Sequence, residues 1–289
     1  MQDPCGTPEA GSTHGYFTSP VMSKHIDKLL PIFSKNKPIN YQDLLMPSPY
    51  YTIGEREHGY KDEDDPPWGV KEDKIYWTGR TTGGYSHDGT WDQLHRHRAV
   101  HDLNQADRQT TLLRQDENQK WEPYTDTIST LSHLIDVKFS VLFRPTCEPS
   151  ECDGSEKTMP FREFVPESET CKSRFVFDID GFGFTERFYR LLGSRSRVFK
   201  MSLFQEWHED RLVPWVHYVP VSMSMEELPE MLRFFTTEKD REMAYEIAEA
   251  GRDWRNKAVR IEDIELTFHR ILLEWARLWG DEERETSCP

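Results

Sequence analysis

The stretch from Arg174 to Val221 constrains the fold more than any other part of the chain, because it sets a strand, a glycine turn, a short helix and a second strand in close succession. Phe175 to Ile179 is an apolar run of strand length. Gly181 and Gly183 interrupt it, Thr185 stands where a helix cap is needed, and Gly193 stands where that helix would close. Trp215 to Val221, in P-W-V-H-Y-V-P-V, reads as the second strand. Such a loop brings backbone N–H groups and the positive end of a helix dipole to one point, where a diphosphate can sit. Arg187 adds a planar guanidinium able to bind a phosphate through two donors. Lacking a third glycine, the turn is not the dinucleotide fingerprint, and an ordinary α/β turn has the same pattern.

The rest of the chain repeats the alternation of strands and helices. Lys74 to Trp77 is expected to form a buried strand, followed by the turn Gly79 to Gly84 and a helix over about Thr90 to Asn104. Asp136 to Phe143 alternates as another strand, and the polar segment Glu148 to Glu169, with Pro160 and Pro166, reads as an exposed loop. Three helices close the sequence. Ser224 with Glu227 predicts a capping box for the first, Thr237 a cap for the second, and Gly251 a bend or stop within it. The last, Ile261 to Trp279, carries Ile264, Phe268, Ile271, Leu272, Trp275, Leu278 and Trp279 on one broad apolar face that needs a partner surface. Residues 1 to 70 are rich in proline, glycine and polar groups, and only Ser23 to Leu30 reads as a helix there. The pattern implies an α/β fold with a mainly parallel sheet.

At 289 residues the chain can bury a sizeable core. Its formal charge of −15, with no basic stripe, argues against nucleic acid as a partner. No apolar run approaches the roughly 20 residues of a membrane helix, so taken literally the chain reads as soluble. Five cysteines leave the redox compartment open, although Cys147 and Cys152 in C-E-P-S-E-C are placed for a disulfide and lack the spacing of a zinc site.

Two blocks carry a family resemblance. Cys171-Lys172 ahead of the strand, then G-F-G-F-T-E-R-F and P-W-V-H-Y-V-P-V, and separately Trp68 to Gly84, W-G-V-K-E-D-K-I-Y-W-T-G-R-T-T-G-G, resemble glycosyltransferase family 90 in both order and spacing. That family holds the fungal capsule-associated proteins and the animal protein O-glucosyltransferases called Rumi, and the intervening text resembles a fungal member. The resemblance extends from about His14 to Gly280. It implies a two-lobed GT-B transferase that moves a sugar such as glucose or xylose from a UDP-sugar donor to a protein or glycan hydroxyl with inversion. It also implies the lumen of the endoplasmic reticulum or Golgi, with a membrane anchor on the full-length protein. On this reading residues 1 to 70 are a remnant of an N-terminal lobe, 71 to 258 the Rossmann-like donor lobe, and 259 to 289 a C-terminal helix and tail.

The resemblance also implies the site. Thr185 and Arg187 correspond to the hydroxyl and arginine at the nucleotide diphosphate, and Glu206 to a glutamate near the ribose. Gly79, Arg80 and Thr82 of the first turn, Gly181 and Gly183 of the second, and Arg98 of the H-R-H-R helix complete the expected donor set, with Arg96 as the alternative to Arg98. The family has its arginine where this chain has Thr78 and a small residue at Arg80, which puts Arg80's contribution in question. No metal is expected: Asp178 and Asp180 form a D-x-D pattern, but relatives carry an arginine at Asp180, and a strand-end aspartate commonly caps the next turn. The inverting base, an aspartate from the N-terminal half in the family, is expected upstream of this chain, since Asp3-Pro4 does not match its context. Two other readings follow from the residues: a binding module without catalysis, and a metal-dependent transferase using Asp178 and Asp180.

Overall fold

The computed structural model describes residues 10–21, 28, 30–51, 60–237 and 240–286, the last seven as helix backbone alone. The helix expected over Ser23 to Leu30 lies mostly outside them, as does Asp3-Pro4. Five parallel strands form the centre: β1 (Glu72–Arg80), β4 (Ile135–Val141), β5 (Ser173–Ile179), β6 (Arg197–Met201) and β7 (Val219–Pro220). Their spatial order is β7-β6-β5-β1-β4. Between β1 and β4 a hairpin of β2 (Gln109–Gln115) and β3 (Trp121–Thr127) is inserted, closed by a turn in which Gln119 adopts a φ of 63°.

This order is the doubly wound one in which the first strand has the second on one side and the third on the other. Chain progression therefore reverses between β1 and β5, and the loops leaving their C-terminal ends diverge and leave a crevice. Every residue of β5 and β6 is buried, as expected of a parallel sheet covered on both faces. On one face Ile75, Trp77, Phe139, Phe175, Phe177 and Phe199 pack with α1 (His95–Asn104), α4 (Leu228–Thr236) and α5 (Arg241–Ala258). On the other, Val176 and Val198 pack with α3 (Phe188–Gly193), Tyr51 and Trp207. Asp178 shares the phase of Val176 and so points to the α3 side.

Several local expectations are revised. The segment read as an exposed loop contains α2 (Pro149–Thr158), with Pro149 in the first turn and a Cys147–Cys152 disulfide tying its start. Trp215 to Val221 is a strand only at Val219–Pro220. Trp215 has a φ of 66°, and its N–H donates to the Tyr218 carbonyl at 2.7 Å, closing a tight turn. The capping box shifts: Glu227 is itself the residue before α4, and its carboxylate accepts from the Ser222 hydroxyl at 2.6 Å. Asp240, bonded to the Thr237 hydroxyl at 2.8 Å, precedes α5. The final helix, α6 (Ile261–Thr286), is anchored at buried Ile264, while Phe268, Leu272, Leu278 and Trp279 are exposed.

Described residues ahead of β1 are joined to this body at several points. Asn36–Lys37 pairs antiparallel with Gln205–Glu206. Lys71, with no exposed side-chain surface, donates to Asp65, to the Cys171 carbonyl and to Ser196 Oγ, the last at 3.0 Å.

Gly251 does not stop α5, which runs on to Ala258. A Cβ there would lie 2.3 Å from the carbonyl oxygen of His217, so glycine is what lets the helix rest on that turn. Gly251→Ala is expected to destabilise the fold by about 1–3 kcal/mol through overpacking, outweighing the roughly 1 kcal/mol that alanine contributes to helix propensity. Urea unfolding measures it, and an unchanged or higher midpoint would show that the 215–217 turn yields freely.

Candidate functional site

A cleft of about 750 Å³ lies over the C-terminal ends of β1 and β5, at the reversal point of the sheet. Arg80 and Thr82 line it from the first loop, and Gly181, Gly183, Thr185 and Arg187 from the second. The register of β1 against β4 shifts between Gly79 and Arg80. A bulge of this kind re-aims a side chain, and Arg80, just past it, reaches the cleft wall. Gly79 itself is not on the wall, and its missing Cβ leaves room for the Trp77 ring, which a side chain would meet at 2.7 Å.

The two other donor-site expectations that miss the wall are Arg98 and Glu206. Arg98 donates to the Met223 carbonyl on the far side of α1. Its neighbour Arg96 is the arginine that enters the cleft: it is buried and donates to the Asp180 carbonyl at 2.6 Å, the Ile179 carbonyl at 2.8 Å and Thr82 Oγ1 at 2.7 Å. The strand-end carbonyls of β5 need donors, and α1 supplies them from its first turn, where His95 also meets the Asp180 carbonyl at 2.7 Å. Glu206 is buried beneath the second loop, where its carboxylate accepts from the Tyr51 hydroxyl.

Thr185 does not cap α3, because its hydroxyl donates to Asp178 instead. Arg187 donates from Nη1 to the Thr78 carbonyl at 2.5 Å, with Nε 3.6 Å from Asp178. The guanidiniums of Arg96 and Arg187 both lie over the Trp77 ring, each 5.6 Å from its centroid. Among the described residues, nothing accepts a hydrogen bond from the backbone N–H of Gly183, Phe184, Glu186 or Arg187. The turn therefore presents unpaired backbone donors, with the Glu186 carboxylate exposed beside them.

Electrostatics follow the same sign. Lys35, Arg80, Arg96, Arg187 and Arg190 line the cleft against Glu167 and Glu186, in a chain whose net charge is −15. Arg190 is paired with Glu167. Burial, and then the charge of Arg187, lowers Arg96 to about 9, against the opposing pull of Asp180 and Asp178. Burial raises Asp180 to about 7 despite Lys200 and the Leu203 N–H, which donates to it at 2.6 Å. Burial likewise raises Glu206 to about 7 against the opposing pull of Lys200 and Tyr51. Among the described residues no group of three or more His, Cys, Asp or Glu is arranged to hold a metal ion. The site offers fixed guanidiniums and backbone donors to an anion.

The sequence reading missed Arg96 as the favoured arginine, Trp77 as the ring behind the cationic pair, and Lys35 and Asn36 as part of the wall. No local signal marks the last two, since only the pairing of 36–37 with 205–206 brings them there.

Over residues 20–284 the chain matches the family described as Glycosyl transferase family 90. It is similar to an O-glucosyltransferase rumi homolog of Aedes aegypti, 36% identical over 111 residues, covering 37% of this chain and 27% of the relative. It is also similar to Protein O-glucosyltransferase 1 of Bos taurus, 24% identical over 282 residues, covering 89% of this chain and 60% of the relative. The human protein of that name is 23% identical over the same length. The chain thus spans 60% of the mammalian relatives it matches.

Proposed function

Because the chain belongs to glycosyltransferase family 90, we propose that its cleft binds the diphosphate of a UDP-sugar donor in the transfer of a sugar to a protein or glycan hydroxyl. Glucose is the first candidate sugar, on the names of the relatives, and xylose the next. The observation that carries this reading is the cluster of Arg80, Arg96 and Arg187 around two donor-bearing loops at the sheet's reversal point. When a glycosyl bond to a nucleotide breaks, negative charge grows on the departing diphosphate. Guanidiniums already fixed by carbonyls and an indole face stabilise that charge without reorganising. Inversion would follow from attack on the face opposite this leaving group.

The proposal needs no metal. Asp178 is held by Thr185 and Lys200, and Asp180 accepts the Leu203 N–H at Oδ2 while its Oδ1 is buried without a hydrogen-bond partner; neither carboxylate lines the cleft. A lumenal setting is in keeping with the Cys147–Cys152 disulfide. No helix among the described residues is long and apolar enough to cross a membrane.

Calorimetric titration of UDP into the protein, with and without Mn²⁺, tests the reading. Saturable binding unaffected by Mn²⁺ is the expected result, whereas binding that appears only with the metal would return Asp178 and Asp180 to the role of ligands. A second reading, donor binding without transfer, draws on the cleft's carboxylates: Glu167 is held by Arg190, and Glu186 is solvent-exposed. Release of UDP from UDP-glucose in the presence of a hydroxyl-bearing acceptor peptide separates the two.

A further inference from the structure

Beneath the loop of residues 181–187, on the α3 side of the sheet, Lys200 of β6 is buried with its side chain 5% exposed. Its Nζ lies 3.3 Å from Asp178 Oδ2, 3.5 Å from Glu206 Oε1 and 3.6 Å from the centroid of the Phe188 ring. Each carboxylate reaches onward to the same place. Asp178 accepts the Thr185 hydroxyl and lies 3.6 Å from Arg187 Nε. Glu206 accepts the Tyr51 hydroxyl, which is itself 3.4 Å from the Thr185 carbonyl.

We propose that Lys200 is a positioning residue for donor binding, a tethered internal cation that balances Asp178 and Glu206 and so leaves the Arg187 guanidinium free for the diphosphate. The inference rests on the donor-cleft reading above. Asp178 and Glu206 share one ammonium, which balances Asp178 while Glu206, its pKa raised to about 7, carries a charge only in part at neutral pH; without the ammonium, Asp178 would have Arg187 as its nearest cation. Arg187 would then be drawn down to Asp178 and away from the cleft, and the Thr185 turn would lose both of its supports. Burial works against the charge on Lys200, but Asp178 and Glu206 outweigh it and raise its pKa, so the cation is retained across the physiological range. In effect the amine fills, from below and covalently, the place that a divalent ion would take between paired carboxylates.

The test is UDP calorimetry on the wild type, Lys200→Met and Lys200→Arg, with thermal unfolding by circular dichroism on each. Lys200→Met keeps the length of the side chain and removes its charge; it is expected to weaken UDP binding about tenfold or more while still folded at the assay temperature. Lys200→Arg is expected to restore affinity to within about threefold, a rescue that charge provides and shape does not. Folded Lys200→Met that binds UDP as the wild type does overturns the proposal, and so does an arginine variant as weak as the methionine one. Should Lys200→Met fail to fold, Tyr51→Phe decides: it cuts one support of Thr185 and leaves every charge in place, and unchanged affinity there rejects the converging network. A wild type that does not bind UDP overturns the donor-cleft reading, and this inference with it.

Discussion

Replacing Arg187 with alanine is expected to weaken UDP binding at least about a hundredfold while leaving the chain folded. The guanidinium can give a phosphate two charge-assisted hydrogen bonds, each contributing about 1.5–3 kcal/mol, and about 2.7 kcal/mol already corresponds to a factor of a hundred. The structural cost is smaller. Alanine forfeits the bond to the Thr78 carbonyl and the contact with the Trp77 ring, yet Arg96 stays on that ring and Lys200 stays on Asp178. A loss of about 1–2 kcal/mol in stability is the corresponding expectation. Calorimetry beside thermal unfolding measures both. Arg187→Lys should fall between, because an ammonium keeps the charge and loses the planar fork. Undiminished affinity in Arg187→Ala would move the diphosphate toward Arg80 and Lys35, on the outer wall of the cleft.

Fixed charge of this kind explains why so much of the cleft wall is tied to backbone. Arg96 uses three of its donor positions on carbonyls and on Thr82, and burial, then the charge of Arg187, nevertheless lowers its pKa to about 9. A diphosphate would add counter-charge there. Binding should therefore weaken as ionic strength rises, in the manner of a partly screened anion site.

The parts of this arrangement legible in the sequence are those dictated by local chemistry. The β5 strand, the glycine-broken loop after it and the short helix follow from an apolar run, Gly181 and Gly183, and a closing Gly193. What escaped reading was decided by partners distant in sequence. Arg96 and Arg98 differ by two positions in H-R-H-R, a polar string that reads as a solvated face, yet His95, Arg96 and His97 are all buried. The carbonyls at the end of β5 select the helix phase, and no local pattern announces them. Trp215 to Val221 has strand composition, but Gly251 of α5 and the Tyr218 carbonyl fold its first half into a turn. The segment around Pro149 looked like a loop because its acids and proline are also first-turn helix residues. Thr185 looked like a cap, and Asp178 outbid the helix for its hydroxyl.

Acid should unfold this protein well above the range in which carboxylates alone protonate. Four histidines are buried and held neutral. Burial, then Arg96 and Arg98, lowers His14 to about 3; burial, then Arg96, lowers His97 to about 4. His95, stacked on His14 at 3.7 Å, is held well below 6.5 by burial and by that neighbour, and His208 by burial and Lys200. A group whose folded pKa is depressed contributes stability above its unfolded pKa of 6.5 and loses it as pH falls toward the folded value. Asp180 and Glu206 act oppositely. Raised to about 7, they hold protons in the native state between about pH 4.5 and 7 that the unfolded chain releases, so their contribution grows as pH falls. Between pH 6.5 and 4.5 four histidine protons taken up on unfolding face two carboxyl protons given up. The net grows from about half a proton at pH 6.5 to about two near pH 5, so the slope steepens to about 2.7 kcal/mol per pH unit there, with stability falling as the solution is acidified. Unfolding free energies from urea titrations at pH 6.5 and pH 5 should therefore differ by about 3 kcal/mol. His97→Gln, which removes one of the four protons, should flatten the slope by about half. A midpoint that is level or rising toward pH 5 would mean that the buried histidines take up their protons inside the fold, and that His14 and His95 do not remain a neutral stacked pair behind the glycine loop.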